Sequence, residues 1–512
     1  MKVTEKATPF LVLAETNRGF ACYPHDHQFV ADSMKQVPSY FRSAVMNRYN
    51  RIIRASGPED ANKFLSELAC VGRDSPIDPQ GTFASISDQA RALARACKRS
   101  VREYANIDEA YCRAVVIAGN HGLTFHKGVT PNGAVKRICC EHWWAKRFKI
   151  FHRRLFEEFA LKLYQISKFN QAYASNRAVE ESKRQELRNA HLLAAMEAVS
   201  DLGDRVNLTE LRERSLANPV NRRAELMARM SGFESYAISN QHVALFVTLT
   251  CPSRMHSVLS RSGAANPKYD QTTPREAHQY LNSVWRRIRA KWKRLYIDPY
   301  GMRIVEPQHD GTPHWHLMMF VDASRSDEAV EIFREHALRV DGNEGGASEH
   351  RVKVVPIDYE KGTATGYVAK YVCKNIDGVF NESDTSGLAG DDAAIRVGSW
   401  SKVWGIRQFQ QFGGPPVSVW RELRRVDQES TEGVIGVAAK FADESDWEGY
   451  VETMGGIGTS RDLAPIKLEK VWSDKPGAYG DPSGEQTIGV TAGDDSVVTR
   501  SVSWTIERKA AP

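Results

Sequence analysis

The sequence has no run of apolar residues long enough to cross a bilayer, for which a helix needs about 20 residues. Its start, MKVTEKATPF, has no apolar signal core. Only eight cysteines are scattered over 512 residues, which argues against a disulfide framework. We therefore expect a cytoplasmic protein with reduced thiols and no membrane partner.

Two further absences limit the classes of function. No Gly-x-x-x-x-Gly-Lys-Ser/Thr loop occurs, so we expect neither helicase activity nor a nucleotide cofactor. The formal net charge of +6 is small for this length, so any affinity for nucleic acid must come from local basic clusters. What the chain does have is the composition of a globular protein, 42% hydrophobic and 26% charged, and length for two or three domains.

The composition and the hydrophobic pattern of the sequence change near residues 235 and 425. We predict a mostly helical, possibly DNA-binding region over 1–235 and a domain with strands over 236–425. The Gly-, Asp- and Ser-rich residues 426–512 are predicted to be a partly flexible tail of unknown role. Within the middle region, the acidic stretch GVFNESDTSGLAGDDAA, residues 378–394, is predicted to be a mobile loop.

The middle region alternates strands and helices. A capping box from Thr273 to Glu276, with Pro274 at the first helical position, marks one helix start. In chain order the patterns predict strand VALFVTLT, a helix from 274, strand MRIVEP, a strand from 313, a helix over 326–339, strand RVKVVPI and a helix from about 366. This order predicts a ferredoxin-like or RNA-recognition-motif-like α+β fold with an antiparallel central sheet.

The segment HDGTPHWHLMMF carries two histidines on a predicted strand. His314 and His316 point to one face of that strand, and two neutral imidazoles on one face can bind a divalent ion together with a third ligand. Glu306 ends the preceding strand, and a short hairpin would bring it beside the pair. Gln308 and His309 lie in the same turn and stay open as alternatives. So does the simpler interpretation that the histidines only form hydrogen bonds.

Two other metal-dependent interpretations are disfavoured. A histidine-triad hydrolase would need a histidine at the position of Met318. A zinc site could be imagined from several thiols and imidazoles, but adjacent cysteines suit one tetrahedral ion poorly and Cys-x-x-Cys pairs are missing. The residues concerned are Cys112, His121, Cys139, Cys140 and His142.

The segment GYVAKYVCKNIDG places two phenols and two amines along one stripe of a helix. The stripe consists of Tyr367, Lys370, Tyr371 and Lys374. A solvated helix face would give the same pattern, but beside a metal-binding strand a catalytic interpretation gains weight. Nearby ammonium groups and a metal-polarised phosphate can make tyrosine a nucleophile. The phosphotyrosine product would conserve the energy of the cut bond, so a strand could be resealed without ATP.

Basic and aromatic clusters are candidates for contacts with DNA. Arg286, Arg287, Arg289 and Lys291 lie on one predicted helix, whose Trp285 and Trp292 are better explained as core residues. Farther along the chain, the segment after Trp400 could stack DNA bases and bind phosphate. Its candidate residues are Trp404 and Arg407.

Four segments together resemble the replication gene A protein family of bacteriophages, within the HUH endonuclease superfamily. They are FVTLTCPSR, VEPQHDGTPHWHLMMF, GYVAKYVCKNIDG and WGIRQFQQFGGPPVSVWRELRR. The resemblance covers about residues 210–425 and is weaker elsewhere. It implies a HUH nuclease domain that initiates rolling-circle replication by site- and strand-specific nicking and rejoining of the origin.

The resemblance also implies roles for particular residues. His314, His316 and Glu306 match the ligands of one magnesium or manganese ion. Tyr367 and Tyr371 match the paired nucleophiles, one of which keeps the 5′ end covalently while the other cuts the regenerated origin. The basic positions after each tyrosine match Lys370 and Lys374. Which tyrosine acts first is left open.

The partners implied are single-stranded origin DNA and the replicative helicase and polymerase of a bacterial host. Two alternative functions remain at this point. A two-tyrosine single-strand transposase would use the same residues on transposon ends. A non-catalytic origin-binding protein would use the sheet alone, but it would not need the carboxylate, both histidines and both tyrosines.

Overall fold

The computed structural model describes residues 26–376, 378 and 388–509. The chain forms two compact units, Met1–Gln165 with Ser473–Ser483, and Ile166–Trp472 with Gly484–Pro512. These units differ from the predicted boundaries at 235 and 425. In the described part of the chain, no helix is both long and apolar enough to span a membrane.

The first unit is helical, as the sequence predicts for most of the N-terminal region. Its helices are α1 (His27–Lys35), α2 (Arg42–Ser56), α3 (Pro58–Arg73), α4 (Phe83–Val101), α5 (Ile107–Asn120), α6 (Pro131–Ile138) and α7 (Glu141–Lys162). Trp144 and Phe159 of α7 are fully buried. The segment 473–483 is fixed to this unit because Asp481 accepts hydrogen bonds from the backbone and hydroxyl of Thr130, both at 2.8 Å.

The second unit contains a central sheet and the elements around it. Before the sheet come α8 (Asn176–Ala194), β1 (Met196–Ser200), β2 (Arg205–Asn207), α9 (Leu208–Arg214) and α10 (Pro219–Ser239). The sheet region comprises β3 (His242–Leu249), α11 (Pro274–Arg294), β4 (Tyr300–Pro307), β5 (Pro313–Asp322), α12 (Ser326–Leu338), α13 (Ala347–His350), β6 (Val352–Pro356), α14 (Ala364–Ile376), α15 (Gly390–Trp404) and β7 (Phe409–Phe412). After it come α16 (Val417–Leu423), α17 (Gly433–Glu444), α18 (Trp447–Thr453), β8 (Lys467–Trp472), β9 (Glu485–Ala492), β10 (Asp495–Val498) and β11 (Trp504–Arg508).

The central sheet has the strand order β6-β3-β5-β4-β7, and every neighbouring pair is antiparallel. Its first four strands in the chain, with α11 and α12 as connections, have the ferredoxin-like order, to which β7 adds an edge. The capping box of α11 is present, with Thr273 and Glu276 bonded reciprocally and Pro274 in the first turn. The predicted α+β class with an antiparallel central sheet is confirmed.

The two faces of this sheet bury different sets of residues. One face packs Phe246, Met302 and Met318 against α10 and α14 in a continuous core. The other face carries Trp315, whose ring lies 5.5 Å from His278 of α11. Because side chains alternate along a strand, the histidines of β5 lie on the face covered by α14.

Two predictions about irregular segments need correction. The region after 425 is not a tail, because Trp447 and Tyr450 of α18 are fully buried in the core that contains the sheet. Its many Gly and Asp residues hide this apolar pattern in the sequence. The predicted mobile loop is shorter than 378–394, because α15 begins at Gly390. Most of its other residues lie outside the described part of the chain.

Candidate active site

The β4–β5 hairpin brings the three predicted metal ligands onto one face of the sheet. Glu306 pairs with His314 across the hairpin, and Ile304 pairs with His316. The turn is closed by hydrogen bonds from the Gln308 backbone N–H to the Thr312 carbonyl and from the Trp400 indole to the Gly311 carbonyl, both 2.8 Å long. The hairpin therefore forms as the sequence predicts, and a buried tryptophan from α15 holds its tip.

Glu306 is a buried carboxylate with several polar partners. Its Oε2 lies 3.3 Å from Nε2 of His316, and its Oε1 lies 4.0 Å from Nζ of Lys374. The Asn375 side-chain amide also donates a hydrogen bond to Oε1. Burial alone would raise the pKa of Glu306, but the His316 hydrogen bond, the Lys374 charge and the Asn375 hydrogen bond together lower it to about 2. Glu306 is thus anionic over the physiological pH range.

Each of the two imidazoles has a polar partner that fixes its orientation. Nδ1 of His316 lies 3.2 Å from the Thr248 hydroxyl on β3, which directs Nε2 toward Glu306. Nδ1 of His314 lies 3.0 Å from the Gln308 amide nitrogen. Burial and the neighbouring His316 lower the pKa of His314 to about 3, so its ring is neutral. A neutral imidazole is the form that binds a metal ion.

These donors are the residues that could hold a divalent ion. Imidazole is a more typical ligand of zinc than of magnesium or manganese, which prefer oxygen ligands. Two imidazoles and one carboxylate nevertheless leave coordination positions open for water and phosphate oxygens. Among the residues that the structure describes, no three His, Cys, Asp or Glu side chains already have the arrangement of a metal site. Glu306 and His316 are instead in direct contact, so an ion would replace their hydrogen bond.

The two predicted nucleophiles lie on α14 at different depths. The ring of Tyr371 is 4.3 Å from the ring of His316 and 5.2 Å from Phe246, measured between centroids. Tyr367 is 48% exposed and contacts Phe246 at 5.6 Å. Burial, the charge of Glu306 and the neighbouring Tyr367 raise the pKa of Tyr371 to about 12. Tyr371 is therefore a protonated phenol in this state and needs a positive neighbour to become a nucleophile.

The two lysines of the stripe have different environments. Nζ of Lys374 faces Glu306, and its side chain is only 18% exposed. Lys370 is exposed, and within the described residues it has no ion pair or hydrogen bond with the site. The structure therefore brings Lys374 to the carboxylate and leaves Lys370 at the rim.

Helix α14 is fixed by a residue that sequence reasoning missed. The buried Glu234 of α10 accepts hydrogen bonds from the backbone N–H groups of Ala364 and Thr365, at 2.6 and 3.0 Å. A carboxylate at this position caps the helix and interacts favourably with its dipole. Nothing in the local sequence of α10 marks this role, because the partner is 130 residues away.

Other supporting residues were also missed. Phe246 contacts both tyrosines and His316, and Thr248 orients His316. Their signal was available, since the alternation on β3 places both on the face opposite Val247. Gln308 was considered only as an alternative metal ligand, and Asn375 was not considered at all. An amide in a turn or near a helix end has no periodic pattern that would mark its role.

The predicted DNA-binding residues of α11 lie on the other face of the sheet from the tyrosines. This placement follows from Asn282 of α11, which accepts a 3.2 Å hydrogen bond from Arg303, a residue that points away from Glu306 on the same strand. Arg286 and Arg289 line a groove of about 780 Å³. Other basic residues of this groove are Lys293 and Arg461. The remaining two candidates on α11 are Arg287 and Lys291, which lie on the side of the helix that faces His336 of α12. The pKa of His336 is lowered mainly by burial, and the charges of Arg287 and Lys291 lower it further.

The prediction that the segment after Trp400 stacks DNA bases needs a correction. Trp404 is 3% exposed, so its ring cannot stack on a base. Aromatic residues between arginines are typical of a core helix beside a solvated surface as well as of a DNA-binding surface, and here α15 buries them. Arg407 is exposed, and its Nε donates a 3.1 Å hydrogen bond to the Phe409 carbonyl.

The residues weighed for a zinc site have separate surroundings in the first unit. His121 Nδ1 lies 3.0 Å from the Ile117 carbonyl oxygen, and His142 is 88% exposed. The Tyr479 hydroxyl contacts Sγ of Cys140 at 3.7 Å. Cys112 is exposed and Cys139 half-buried, and both are free thiols.

Comparison with known proteins identifies the family. Residues 126–379 match the bacteriophage replication gene A protein family. The replication protein of Haemophilus phage HP1 is 38% identical over 73% of this chain and 48% of its own length. The replication gene A protein of Escherichia phage 186 is 36% identical over 74% of this chain and 56% of its own length. The chain belongs to the bacteriophage replication gene A protein family.

The chain is also similar to proteins named for prophage-like regions. A probable replication endonuclease from a prophage-like region of Salmonella paratyphi A is 30% identical over 74% of this chain and 49% of its own length. The chain spans about half the length of the curated relatives it matches. No solved structure matches it.

Proposed function

We propose that this protein initiates rolling-circle replication of a phage or prophage by nicking and rejoining one strand of the origin. The observation that carries the proposal is the position of Tyr371, whose ring lies 4.3 Å from His316 on the face that also bears Glu306. A potential nucleophile, two imidazoles and a carboxylate thus meet at one place. The names of the relatives, replication proteins and replication endonucleases, support the same function.

The proposed reaction is a transesterification at phosphorus. The phenol oxygen of one tyrosine forms a bond to the scissile phosphorus and gives up its proton to solvent. The bond from phosphorus to the 3′ oxygen breaks, and that oxygen takes up a proton to leave a 3′-hydroxyl that primes synthesis. The 5′ end stays on the tyrosine, and attack by a 3′-hydroxyl later reverses the step and reseals the strand.

The roles of the chain's own residues follow from their positions. A magnesium or manganese ion held by Glu306, His314 and His316 would act as a Lewis acid on the scissile phosphate. Lys374 supplies a positive charge next to Glu306, which favours the phenolate of Tyr371 and the charged phosphate. Phe246 packs against both tyrosine rings and limits their rotation.

Single-stranded DNA is the proposed substrate, and the basic groove beside α11 is a second place for it to bind. Arg286, Arg289 and Lys293 lie there on one side of the helix, at the spacing of one turn. Arg407, exposed two residues before β7, adds positive charge near the same edge of the sheet. Replication beyond the nick would need the host helicase and polymerase in the bacterial cytoplasm.

The proposal is tested by covalent capture of DNA. Labelled single-stranded oligonucleotides tiled over the genome that encodes the protein are incubated with magnesium, manganese or chelator and run on a denaturing gel. We expect a metal-dependent protein–DNA adduct that is absent from the Tyr367→Phe/Tyr371→Phe double variant. His316→Ala should abolish the adduct and keep DNA binding, measured in parallel by fluorescence anisotropy.

Two outcomes would overturn the proposal. Binding without any adduct would leave a non-catalytic origin-binding protein. An adduct that persists in the double tyrosine variant would place the nucleophile elsewhere.

A further inference from the structure

A second cavity, of about 310 Å³, lies in the sheet unit next to the histidine pair. It is formed where β3 ends, between the loop after that strand and α13. Its apolar wall includes Val258, Leu259 and Ala347, and its polar lining includes Thr250, His256 and Gln308. This volume is at the lower end of the range for small-ligand sites, roughly 300–1,000 Å³, and suits a single nucleobase.

Gln308 connects this cavity to the candidate active site. It lines the cavity, and its amide nitrogen lies 3.0 Å from Nδ1 of His314. One side chain therefore separates the cavity from a proposed metal ligand. A DNA strand with its scissile phosphate at the histidines would have a neighbouring nucleotide within reach of the cavity.

His256 presents one ring nitrogen for recognition. Its Nδ1 lies 3.1 Å from the Asp310 carboxylate, which is 4% exposed and also accepts a hydrogen bond from the Ser257 backbone. Because Asp310 accepts at Nδ1, that nitrogen carries a proton and Nε2 is left for a ligand. The His256 side chain is 18% exposed. Burial alone would lower the pKa of His256, but the charge of Asp310, its hydrogen bond and the charge of Glu344 raise it.

Hydrogen bonds hold the loop that forms one wall of the cavity. The Asn266 amide donates 2.8 Å hydrogen bonds to the carbonyls of Ser253 and His256. The Ser253 backbone N–H in turn lies 3.2 Å from Glu344. These bonds fix the loop that carries His256, so a ligand would meet a preorganised donor.

The charge of the cavity favours a neutral ligand over a phosphate. The Asp310 carboxylate lies 3.1 Å from the His256 ring, and the cation of Arg351 is matched by Glu344 at 2.5 Å. Both carboxylates would repel a phosphate, while the mixed apolar and polar walls suit the flat, uncharged base of a nucleotide. The edge of a base offers both donors and acceptors, so Nε2 of His256 can form a hydrogen bond with it in either protonation state.

On the basis of the proposed function, we propose that this cavity holds one base of the single-stranded DNA beside the scissile phosphodiester and that Nε2 of His256 recognises it. His256 is then a specificity-determining residue for the cleavage sequence. Asp310 positions its ring.

The test uses the full chain and an abasic scan of its DNA. The tiled oligonucleotide that binds most tightly is remade with one abasic nucleotide at each position, and affinity is measured by anisotropy. For wild type we expect one position at which base removal weakens binding about tenfold, the effect of one lost hydrogen bond. In the His256→Asn variant, the side-chain amide can still donate a hydrogen bond to Asp310, but the ring nitrogen Nε2 that would contact the base is absent. In this variant, intact DNA should bind about tenfold more weakly, and the abasic nucleotide at that position should have no further effect.

Matched variants distinguish recognition from a structural role. His191→Gln, at an exposed position of α8 outside the cavity, should keep the wild-type profile. Leu259→Trp, at a half-exposed position of the apolar wall, should fill the cavity and remove the positional effect even if His256→Asn folds poorly. The inference is overturned if His256→Asn weakens binding equally at every position or leaves the wild-type profile.

The covalent adduct is scored on the same oligonucleotides and reports on the proposed function separately. A positional effect without any adduct would reject nicking and keep the base-binding cavity. An adduct with a flat abasic profile in wild type would reject the cavity assignment alone.

Discussion

Asn375 joins the tyrosine helix to the sheet through a buried hydrogen bond to Glu306. The same side-chain nitrogen lies 2.6 Å from the Tyr371 carbonyl oxygen, so one amide contacts both the proposed ligand and the turn that carries the nucleophile. Gln408 approaches the other side of this amide at 3.5 Å. The carboxylate and the tyrosine are thus positioned by a common neighbour.

Replacing Asn375 by Ala should lower the free energy of unfolding by about 1–3 kcal/mol, because a buried carboxylate loses a hydrogen bond. Urea denaturation measures this change. Asn189→Ala, at an exposed position of α8, is the control and should change stability by less than about 0.5 kcal/mol. Equal effects of the two substitutions would contradict a special role for Asn375.

The two tyrosines should contribute unequally to the first cut. Tyr371 contacts His316, whereas Tyr367 is exposed one turn away. We expect Tyr371→Phe to slow adduct formation in a single turnover by about 100-fold or more and Tyr367→Phe to slow it far less. Quenched time courses on a denaturing gel give both rates. The reverse order would mean that α14 moves before cleavage.

The two lysines form a matched pair for testing charge at the site. Lys374→Met removes the cation next to Glu306 and should slow adduct formation by about 100-fold, the effect of losing one preorganised charge stabiliser. Lys370→Met removes an exposed cation from the same helix and should have little effect. Similar rates for both variants would show that only the overall charge of α14 matters.

The groove beside α11 should account for part of the salt dependence of DNA binding. Each phosphate contact to a single strand contributes about 0.7 to the slope of log K against log salt, so Arg286→Ala with Arg289→Ala should reduce the slope by about 1.4. The control is Arg287→Ala with Lys291→Ala, which removes the same charge from the other side of the helix. Equal slopes for the two double variants would reject the groove as a DNA-binding surface.

The stability of the protein should depend on pH through Glu422, which bonds the segment between β10 and β11. Arg500 and Thr499 bond this carboxylate at 2.7 and 2.6 Å, and with Arg425 they lower its pKa, although burial opposes the change. A lowered pKa means that the stabilisation is complete above the ordinary value of 4.5 and is lost as the pH falls through the folded value. Glu422→Gln should therefore be less stable than wild type at pH 7, and the difference should shrink in acid. A constant difference in urea denaturation between pH 7 and pH 3 would refute this linkage.

The parts of the fold that the sequence predicted have a local physical signal. The start of α11 follows from Thr273, Pro274 and Glu276, which satisfy the helix end by themselves. The histidine face follows from the two-residue alternation of β5. Pairing of Glu306 with His314 needs only a short hairpin between two strands.

The parts that the sequence did not predict depend on contacts between distant segments. Trp404 between basic residues looks the same in a stacking surface and in a core, and only the packing of α15 decides. The apolar residues of α18 are too few to stand out in a Gly-rich region, yet Trp447 packs 5.0 Å from Trp420 of α16. Glu234 and Asn375 act through partners 130 and 69 residues away, which no local pattern encodes.

Helix α14 is held at both ends, by Glu234 at its first residues and by Asn375 on the carboxylate of β4. Two tyrosines four residues apart differ by about 6 Å along the helix axis. These contacts oppose sliding of the helix, which would have to break them to bring each phenol in turn to the histidines. If the proposed function is correct, we therefore expect the DNA strand to move by about 6 Å along α14 when the second tyrosine replaces the first as nucleophile.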